Sequence, residues 1–418
     1  MSASTYYPLI HNKFVETSQT FDVINPYDGS LVGKVHKATD NYLDLAVQSA
    51  RKGFNAMKEL SSYERYEILM KIAGGIKHRE KELRNLMVKE GGKPVRFVNA
   101  EIERAIFTFT WAAEEARRIS GEFIPLDVSA KTKGYSGLTR RFPLGIILAI
   151  TPFNFPLNLV AHKVAPAIAS GNSVILKPAP QTPITALILG DIIRSTGIPA
   201  GAVNIIPSQG AEAQVLVSDG RIQMLTFTGS DKVGWFLKSI AGKKKVTLEL
   251  GGNAAIIVEP DADLNFAVPR IAVGAFAHSG QVCISVQRLY VHQKIFHTFK
   301  KKLISETTEN IVMGDPAKKE TIVGPMTNEA AAARAMEWLE EAVKAGAKIL
   351  CGGKKEGAFI EPTILTKTKQ DMKVVCEEIF APAVMIEPYS DFNEALEKVN
   401  RSYYGLQAGL FCNNIQKI

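Results

Sequence analysis

This sequence is poor in the features that usually declare a protein's class. Its 418 residues hold only four cysteines, Cys283, Cys351, Cys376 and Cys412. No CxxC pair occurs among them, and no histidine follows at zinc-ligand spacing, which excludes a disulfide-stapled scaffold and a zinc ribbon. Reduced thiols in a cytoplasmic protein are the expectation. No apolar run reaches the roughly eighteen residues of a spanning helix. The N-terminus, "MSASTYYPLIHNKF", lacks the basic and then apolar segments of a secretory signal, so no membrane partner is expected. Internal repeats and low-complexity tracts are missing. So are two common nucleotide fingerprints, GxGxxG and the GxxxxGK-Ser/Thr loop. The net charge of +8 does not point to nucleic acid, because the basic clusters at 243–245 and 300–302 are short and carry no interleaved aromatics. Solvated surface with a mild attraction for small anions is the simpler account.

What is present is an ordinary globular balance, 46% hydrophobic and 22% charged, over a length that suggests two or three domains. Residues 1–120 read as mainly helical. "DNYLDLAVQSARKGFNAMKEL" and "SSYERYEILMKIAGGIKHREKELRNLMVKEGGKP" each carry apolar residues at helical spacing, with Asp40 and Ser62 as N-caps and Gly-Gly-Lys-Pro closing the second. The polar, glycine-containing stretch 121–141 suits an extended hairpin. From Pro143 the pattern changes to short apolar strands separated by helices: "GIILAIT", "SVILKP", "VNIIP", "QMLTFTGS", "KVTLEL" and "AAIIVEP". Apolar strands alternating with helices indicate a parallel, doubly wound α/β sheet. A second α/β unit is expected beyond about Asp261, with a helix over "NEAAAARAMEWLEEAVKAG".

Ligands of such sheets bind at the carboxyl ends of the strands, and there the chemically suggestive peptides gather. In "FTGSDKVG", Gly229 and Ser230 lie between a strand and a helix start, where backbone N–H groups favour a phosphate. Helix capping by Ser230 is the equal alternative. In "KVTLELGG", Val246, Leu248 and Leu250 share one face, so Glu249 ends the strand on the other, beside Gly251 and Gly252. A carboxylate there has the position of a general base; a surface carboxylate is the poorer alternative. "TPFNFP" puts the Asn154 amide in a loop stiffened by two prolines and two aromatics, with an Asx-turn as the alternative. "FAHSGQVC" places Cys283 behind Gly280 and ahead of a half-buried strand in which Ile284, Val286, Leu289 and Val291 are the apolar residues. By itself this cysteine is as well read as core filler.

Taken together, "TPFNFP", "ILKPA", "FTGS", "LELGGN", "FAHSGQVC" and "EEIFAP" resemble, in order and spacing, the aldehyde dehydrogenase superfamily over essentially the whole chain. The resemblance implies a Rossmann-like cofactor domain from 1–120 and 142–250, a catalytic thiol domain from 251–418, and an oligomerisation hairpin at 121–141. It implies that Cys283 is the nucleophile, that Asn154 and the Cys283 N–H hold the oxyanion, and that Glu249 activates water. It further implies that Lys177, Pro180, Thr151, Pro152, Gly229, Ser230, Gly251, Glu378 and Phe380 bind NAD or NADP; core packing stays open for Phe380. A homodimer or homotetramer and a small-molecule aldehyde substrate complete the picture.

Three departures from the family pattern matter. Pro180 stands where an acidic residue usually meets the adenosine ribose, so NADP is expected to serve at least as well as NAD. Ala381 replaces a glycine. The chain also ends short of a typical member, whose further residues complete the catalytic domain and supply a strand to a neighbouring subunit. Arg104, His162 and Phe155 are expected along the substrate tunnel. A buried Arg104 needs a partner, either a substrate anion or a salt bridge to Glu101, Glu103 or another carboxylate. A short polar or anionic aldehyde follows from the first, such as lactaldehyde, glyceraldehyde 3-phosphate or phosphonoacetaldehyde. Two alternatives remain at this stage: a CoA-acylating relative, against which Glu249 argues, and a non-catalytic binding or structural protein.

Overall fold

The computed structural model describes residues 4–418, and they separate into two compact units. The first comprises the described residues up to Val23, Gly33–Leu83 and Glu101–Glu249; the second comprises Ile24–Val32, Arg84–Ala100 and Leu250–Ile418. Among the described residues no helix is long and apolar enough to cross a membrane.

The first unit is built on a seven-stranded sheet in the order Lys245–Glu249, Met224–Thr228, Ile146–Ile150, Ser173–Lys177, Val203–Ile205, Leu9–Ile10, Lys13–Phe14. The first five strands are parallel, and the last two add antiparallel pairs. "SVILK" is buried along its whole length, as a strand covered by helices on both faces must be. Helices Asn158–Ala169 and Pro183–Ser195 carry it across to its neighbours. The chain starts at Ile146–Ile150, runs outward to Val203–Ile205, and then returns to the other side of its starting strand. Such a reversal opens a crevice at the carboxyl ends of the two diverging strands.

The second unit holds a six-stranded sheet ordered Lys348–Cys351, Thr363–Thr366, Ala383–Tyr389, Val286–His292, Ala254–Val258, Ala408–Phe411, parallel except for its first pair. Its core packs the helix Leu264–Phe276 and the helix Gln293–Asn310 against the sheet through Ile271, Phe276, Phe299, Leu303, Leu289 and Val291. The helix over "NEAAAARAMEWLEEAVKAG" forms as Glu329–Lys344 and starts from an Asn328 cap.

Several expectations need correcting. "AAIIVEP" does not complete the first sheet: Ala254–Val258 pairs with Val286–His292 and Ala408–Phe411 in the second. The strand after Cys283 is not half-buried; Val286–Val291 are all buried at the centre of that sheet, while Ile284 stays outside it and exposed. The N-terminal region is not uniformly helical, since Leu9–Ile10 extends the main sheet and Thr5–Tyr6 pairs with Lys34 and Val35. The long helix breaks into Ser62–His78 and Glu80–Gly91. Arg79 leaves helical geometry there, and its guanidinium bonds Glu82 and Asp191. The caps lie one residue earlier than expected, at Thr39 and Ser61. Ser61 wins over Ser62 because Glu64, three residues on, closes a capping box with it. The stretch 121–141 does form a hairpin, Phe123–Pro125 against Ser136–Leu138.

Gly53 sits in the first helix, Asp40–Met57, with its backbone pressed on another backbone: a Cβ there would lie 2.1 Å from the Gly201 carbonyl carbon. Alanine gains up to about 1 kcal/mol in helix propensity. Overpacking costs about 1–3 kcal/mol where side chains can yield, and backbone yields less. Gly53→Ala is therefore expected to lower the thermal midpoint of the protein, as measured by calorimetry; an increase would show that the contact relaxes freely.

Candidate active site

In the first unit, the crevice at the sheet's reversal point is a cavity of about 390 Å³. Thr151 and Pro152 from the end of one strand, Lys177 and Pro180 from the next, and Gly229 and Ser230 from a third all line it. Six residues proposed from sequence thus share one wall-to-wall space. Backbone bonds hold the loops in place: Thr151 N–H donates to the Lys177 carbonyl at 3.2 Å, and Gly229 N–H to the Glu249 carbonyl at 3.1 Å. A Cβ at Gly229 would meet the Phe227 ring at 2.6 Å, so only glycine leaves the loop this close to the sheet. Ser230 occupies the N-cap of the helix Asp231–Ile240 but makes no side-chain capping bond. The capping alternative is therefore not realised, and the helix start faces the cavity. No carboxylate lines the cavity among the described residues.

Lys177 is buried, and desolvation pushes it down to about 8, with the charge of Glu212 opposing the shift. Glu212 itself is engaged by Lys37 and by the Gln209 N–H. These groups suit a dinucleotide. Glycine and a helix N-terminus admit a pyrophosphate, and a buried cation lines the same cavity.

Glu249 closes the edge strand Lys245–Glu249, half-buried and in register with Thr228. Sequence reasoning missed its neighbour in charge, Lys163. That side chain is buried, its Nζ donates to Thr226 Oγ1 at 3.1 Å, and desolvation pushes it down to about 8 against the influence of Glu249. The available signal was a lysine inside the otherwise apolar helix "NLVAHKVAPAIA". Asn154 is buried in the loop before that helix. The loop is secured by Glu101, whose carboxylate accepts the N–H groups of Leu157 at 2.9 Å and Asn158 at 3.0 Å.

A second cleft of the same unit, about 640 Å³, has Arg104 and His162 in its lining. Arg104 is exposed rather than buried, so burial does not oblige it to find a partner. Among the described residues no salt bridge to it is formed, and its guanidinium lies over the Phe155 ring at 5.9 Å. The expected bridge to Glu101 fails because that carboxylate turns inward to the Asn158–Ala169 helix. His162 is held below its ordinary pKa by desolvation, then by the cations of Arg104 and Lys163.

In the second unit, Cys283 follows a turn of unusual backbone. His278, Ser279 and Gly280 have φ of 51°, 60° and 66°. A Cβ on Gly280 would meet the Ala381 carbonyl oxygen at 2.1 Å. Buried side chains hold the turn: Ser279 Oγ donates to the Gly324 carbonyl at 2.7 Å, and Gln281 Oε1 accepts from Thr327 N–H at 2.8 Å. Gly252 packs on the far side, where a Cβ would lie 2.0 Å from the Cys283 carbonyl oxygen. Its N–H donates to Glu378 Oε1 at 2.9 Å, and Gly251 leaves room for the same carboxylate. Cys283 and Glu378 are thus assembled around the pair Gly251 and Gly252. Phe380 completes the segment, with a left-handed φ of 51°. The other thiols have different surroundings. Burial pushes up Cys351 and Cys376, and Cys412 reaches Asp261 and the Asn414 carbonyl.

Residues 14–418 match the family model described as "Aldehyde dehydrogenase family". The chain belongs to that family. It is an oxidoreductase of an NAD- or NADP-using class, acting on a small-molecule aldehyde. A 3-sulfolactaldehyde dehydrogenase of Priestia aryabhattai is 45% identical over 409 residues, covering 97% of this chain and 85% of that protein. Among solved structures, aldehyde dehydrogenase 21 of Physcomitrella patens, in complex with the reaction product succinate, superposes with a TM-score of 0.97. It is 42% identical, over 100% of this chain and 87% of that one. An NADP-dependent E. coli enzyme and an NAD-dependent aldehyde dehydrogenase of Sinorhizobium meliloti each reach a TM-score of 0.95 at 33% identity. They match 99% and 100% of this chain over 87% and 84% of their own.

Two buried lysines of this aldehyde dehydrogenase, Lys163 and Lys177, make its stability depend on pH in a defined direction. Each has a folded pKa near 8, below its unfolded value of 10.5. Between these values the unfolded chain binds more protons, so stability rises as pH rises through that window. Lys163→Met removes one of the two groups. Thermal midpoints taken from pH 8 to 10 are expected to climb less steeply in the variant than in the parent; parallel curves would contradict the assignment.

Proposed function

We propose that this enzyme oxidises a short aldehyde carrying an anionic group to its carboxylic acid, using NADP at least as well as NAD. The observation that carries the substrate class is the cleft shared by Arg104 and His162, into which a guanidinium faces that no salt bridge among the described residues engages. The names of two relatives agree in kind: one acts on a sulfonated aldehyde and the other is complexed with a dicarboxylate product.

The roles follow from the chemistry of the side chains. Cys283, as thiolate, attacks the aldehyde carbon and forms a thiohemiacetal. Its oxyanion is met by the Asn154 amide and the Cys283 N–H, one such donor being worth about 2.7–4 kcal/mol of barrier. When bound, the nicotinamide supplies the hydride acceptor that turns this adduct into a thioester. Glu249 then takes a proton from water attacking the thioester carbon; the acid leaves, and the Cys283 sulfur departs with the bond electrons. Lys177, Gly229 and Ser230 hold the adenosine and pyrophosphate portion, and Glu378 and Phe380 the nicotinamide side. On this reading the first unit carries the cofactor and the second the thiol.

NADP use rests on Pro180 and on the carboxylate-free lining around it. A ribose 2′-phosphate then meets no carboxylate in the lining, and Lys177 offers a cation. Exposed Phe123 and Leu138 on the hairpin support a homodimer or homotetramer, and the reduced cysteines a cytoplasmic setting.

The test is turnover of sulfolactaldehyde and of a neutral aldehyde of equal length, with both cofactors. Cys283→Ala is expected to abolish oxidation, and Glu249→Gln to give a burst of reduced cofactor and then stall. Arg104→Leu is expected to lose roughly ten- to hundredfold in kcat/KM for the anionic aldehyde, the equivalent of about 1.5–3 kcal/mol for a charged hydrogen bond, while sparing the neutral one. An unchanged ratio between the two aldehydes would remove the anionic reading. For the cofactor, Pro180→Glu should move kcat/KM toward NAD; a parent enzyme preferring NAD by about tenfold or more would overturn the NADP proposal.

A further inference from the structure

The strand Val286–His292 lies at the centre of the second sheet and is buried from Val286 to Val291, yet its second and third residues are Gln287 and Arg288. They point to opposite faces, and both satisfy themselves on backbone. Arg288 donates to the carbonyls of Asn253, Lys398 and Val399. Gln287 does something more particular. Its Nε2 donates to the Val374 carbonyl at 2.9 Å and the Glu377 carbonyl at 2.7 Å, and its Oε1 accepts from Ile379 N–H at 3.2 Å. One buried amide therefore grips the chain immediately before and immediately after Glu378.

The gripped segment is not in a relaxed conformation. Phe380 follows at once with a left-handed φ of 51°, a region that a bulky aromatic enters only when its surroundings impose it. Arg334 Nη2 fixes the Ile379 carbonyl at 2.8 Å, and Asn253 Nδ2 shares the Val375 and Glu377 carbonyls. Of these groups, only Gln287 bonds on both sides of Glu378. It also lies four residues after Cys283, so the strand that follows the thiol fixes the carboxylate as well.

We propose that Gln287 is a positioning residue for the nicotinamide half of the cofactor, acting through Glu378 and Phe380. This rests on the roles given to those two residues above. The alternative, that Gln287 merely fills a buried hydrogen-bonding need, affects the whole fold and not one half of one ligand.

The experiment uses the full chain and Gln287→Met, which keeps the side-chain volume and deletes the amide. Binding of NADPH is read by its fluorescence, and binding of 2′,5′-ADP, which lacks the nicotinamide half, by competition. The variant is expected to bind NADPH more weakly by about fivefold or more, while 2′,5′-ADP affinity and the iodoacetamide labelling rate of Cys283 stay within about twofold. Unchanged NADPH affinity, or equal weakening of both ligands, overturns the proposal. If Gln287→Met does not fold, Gln287→Glu takes its place, since it keeps the acceptor for Ile379 and loses both donations; failure of both to fold makes the amide a requirement of the fold and also overturns it. A parent enzyme that binds NADPH but oxidises no anionic aldehyde would refute the functional reading alone. A parent that oxidises it, with a variant of unaltered affinity, would refute this inference alone.

Discussion

A parallel strand covered on both faces can place a polar side chain only where it ends, or where buried partners satisfy it. That constraint organises both units. "SVILK" is buried throughout and delivers Lys177 at its last position, and "MLTFT" is followed at once by Gly229 and Ser230. Strands that must be apolar along their length concentrate the chemistry in short loops at one edge, and the reversal in strand order separates two of those loops into a crevice. The cavity is a consequence of sheet topology before it is a property of any residue lining it.

The second unit answers the same constraint differently. Its central strand accepts two polar residues in its interior, at the cost of satisfying each on carbonyls and N–H groups of neighbouring segments. An unsatisfied buried amide or guanidinium is expensive, and a satisfied one is directional. Directionality is what a loop such as 374–380 lacks by itself. Close approach does the complementary work around Cys283: Gly252 and Gly280 each bring a backbone to a distance that any side chain would forbid.

Local pattern reached far in this protein, and its limits have physical causes. The strand ends near Thr151, Lys177, Ser230 and Glu249 were legible because short apolar runs stop abruptly at polar residues. Cys283 was legible only in company, since one thiol beside a strand is equally a piece of core. The assignment of Ala254–Val258 to the second sheet was not legible, because which strands pair is settled by long-range contacts that leave no periodicity. Arg104 was expected to be buried because its position lines the substrate tunnel in the family the chain resembles, yet it is exposed, as are Phe107 and Trp111 beyond it. Lys163 was overlooked for the opposite reason: a lysine on a helix ordinarily reaches water, and here it reaches Thr226. The excursions of 24–32 and 84–100 into the second unit leave no trace in composition at all.

Glu101 and Arg104 occupy adjacent turns of the helix Val95–Ala116, and they divide labour in a way that bears on how this enzyme can change. The first ties its helix to the start of the helix that bears His162, through two N–H bonds buried from water. The second projects freely into the cleft between them. A scaffold joined by one residue and decorated by its neighbour can exchange the decoration without disturbing the joint. On the substrate role proposed for Arg104, selection acting on position 104 alone could therefore retune which tail charge the cleft welcomes, leaving the loop of Asn154 where it was. New substrate ranges within this architecture are then reachable by single steps, with little penalty in foldedness along the way.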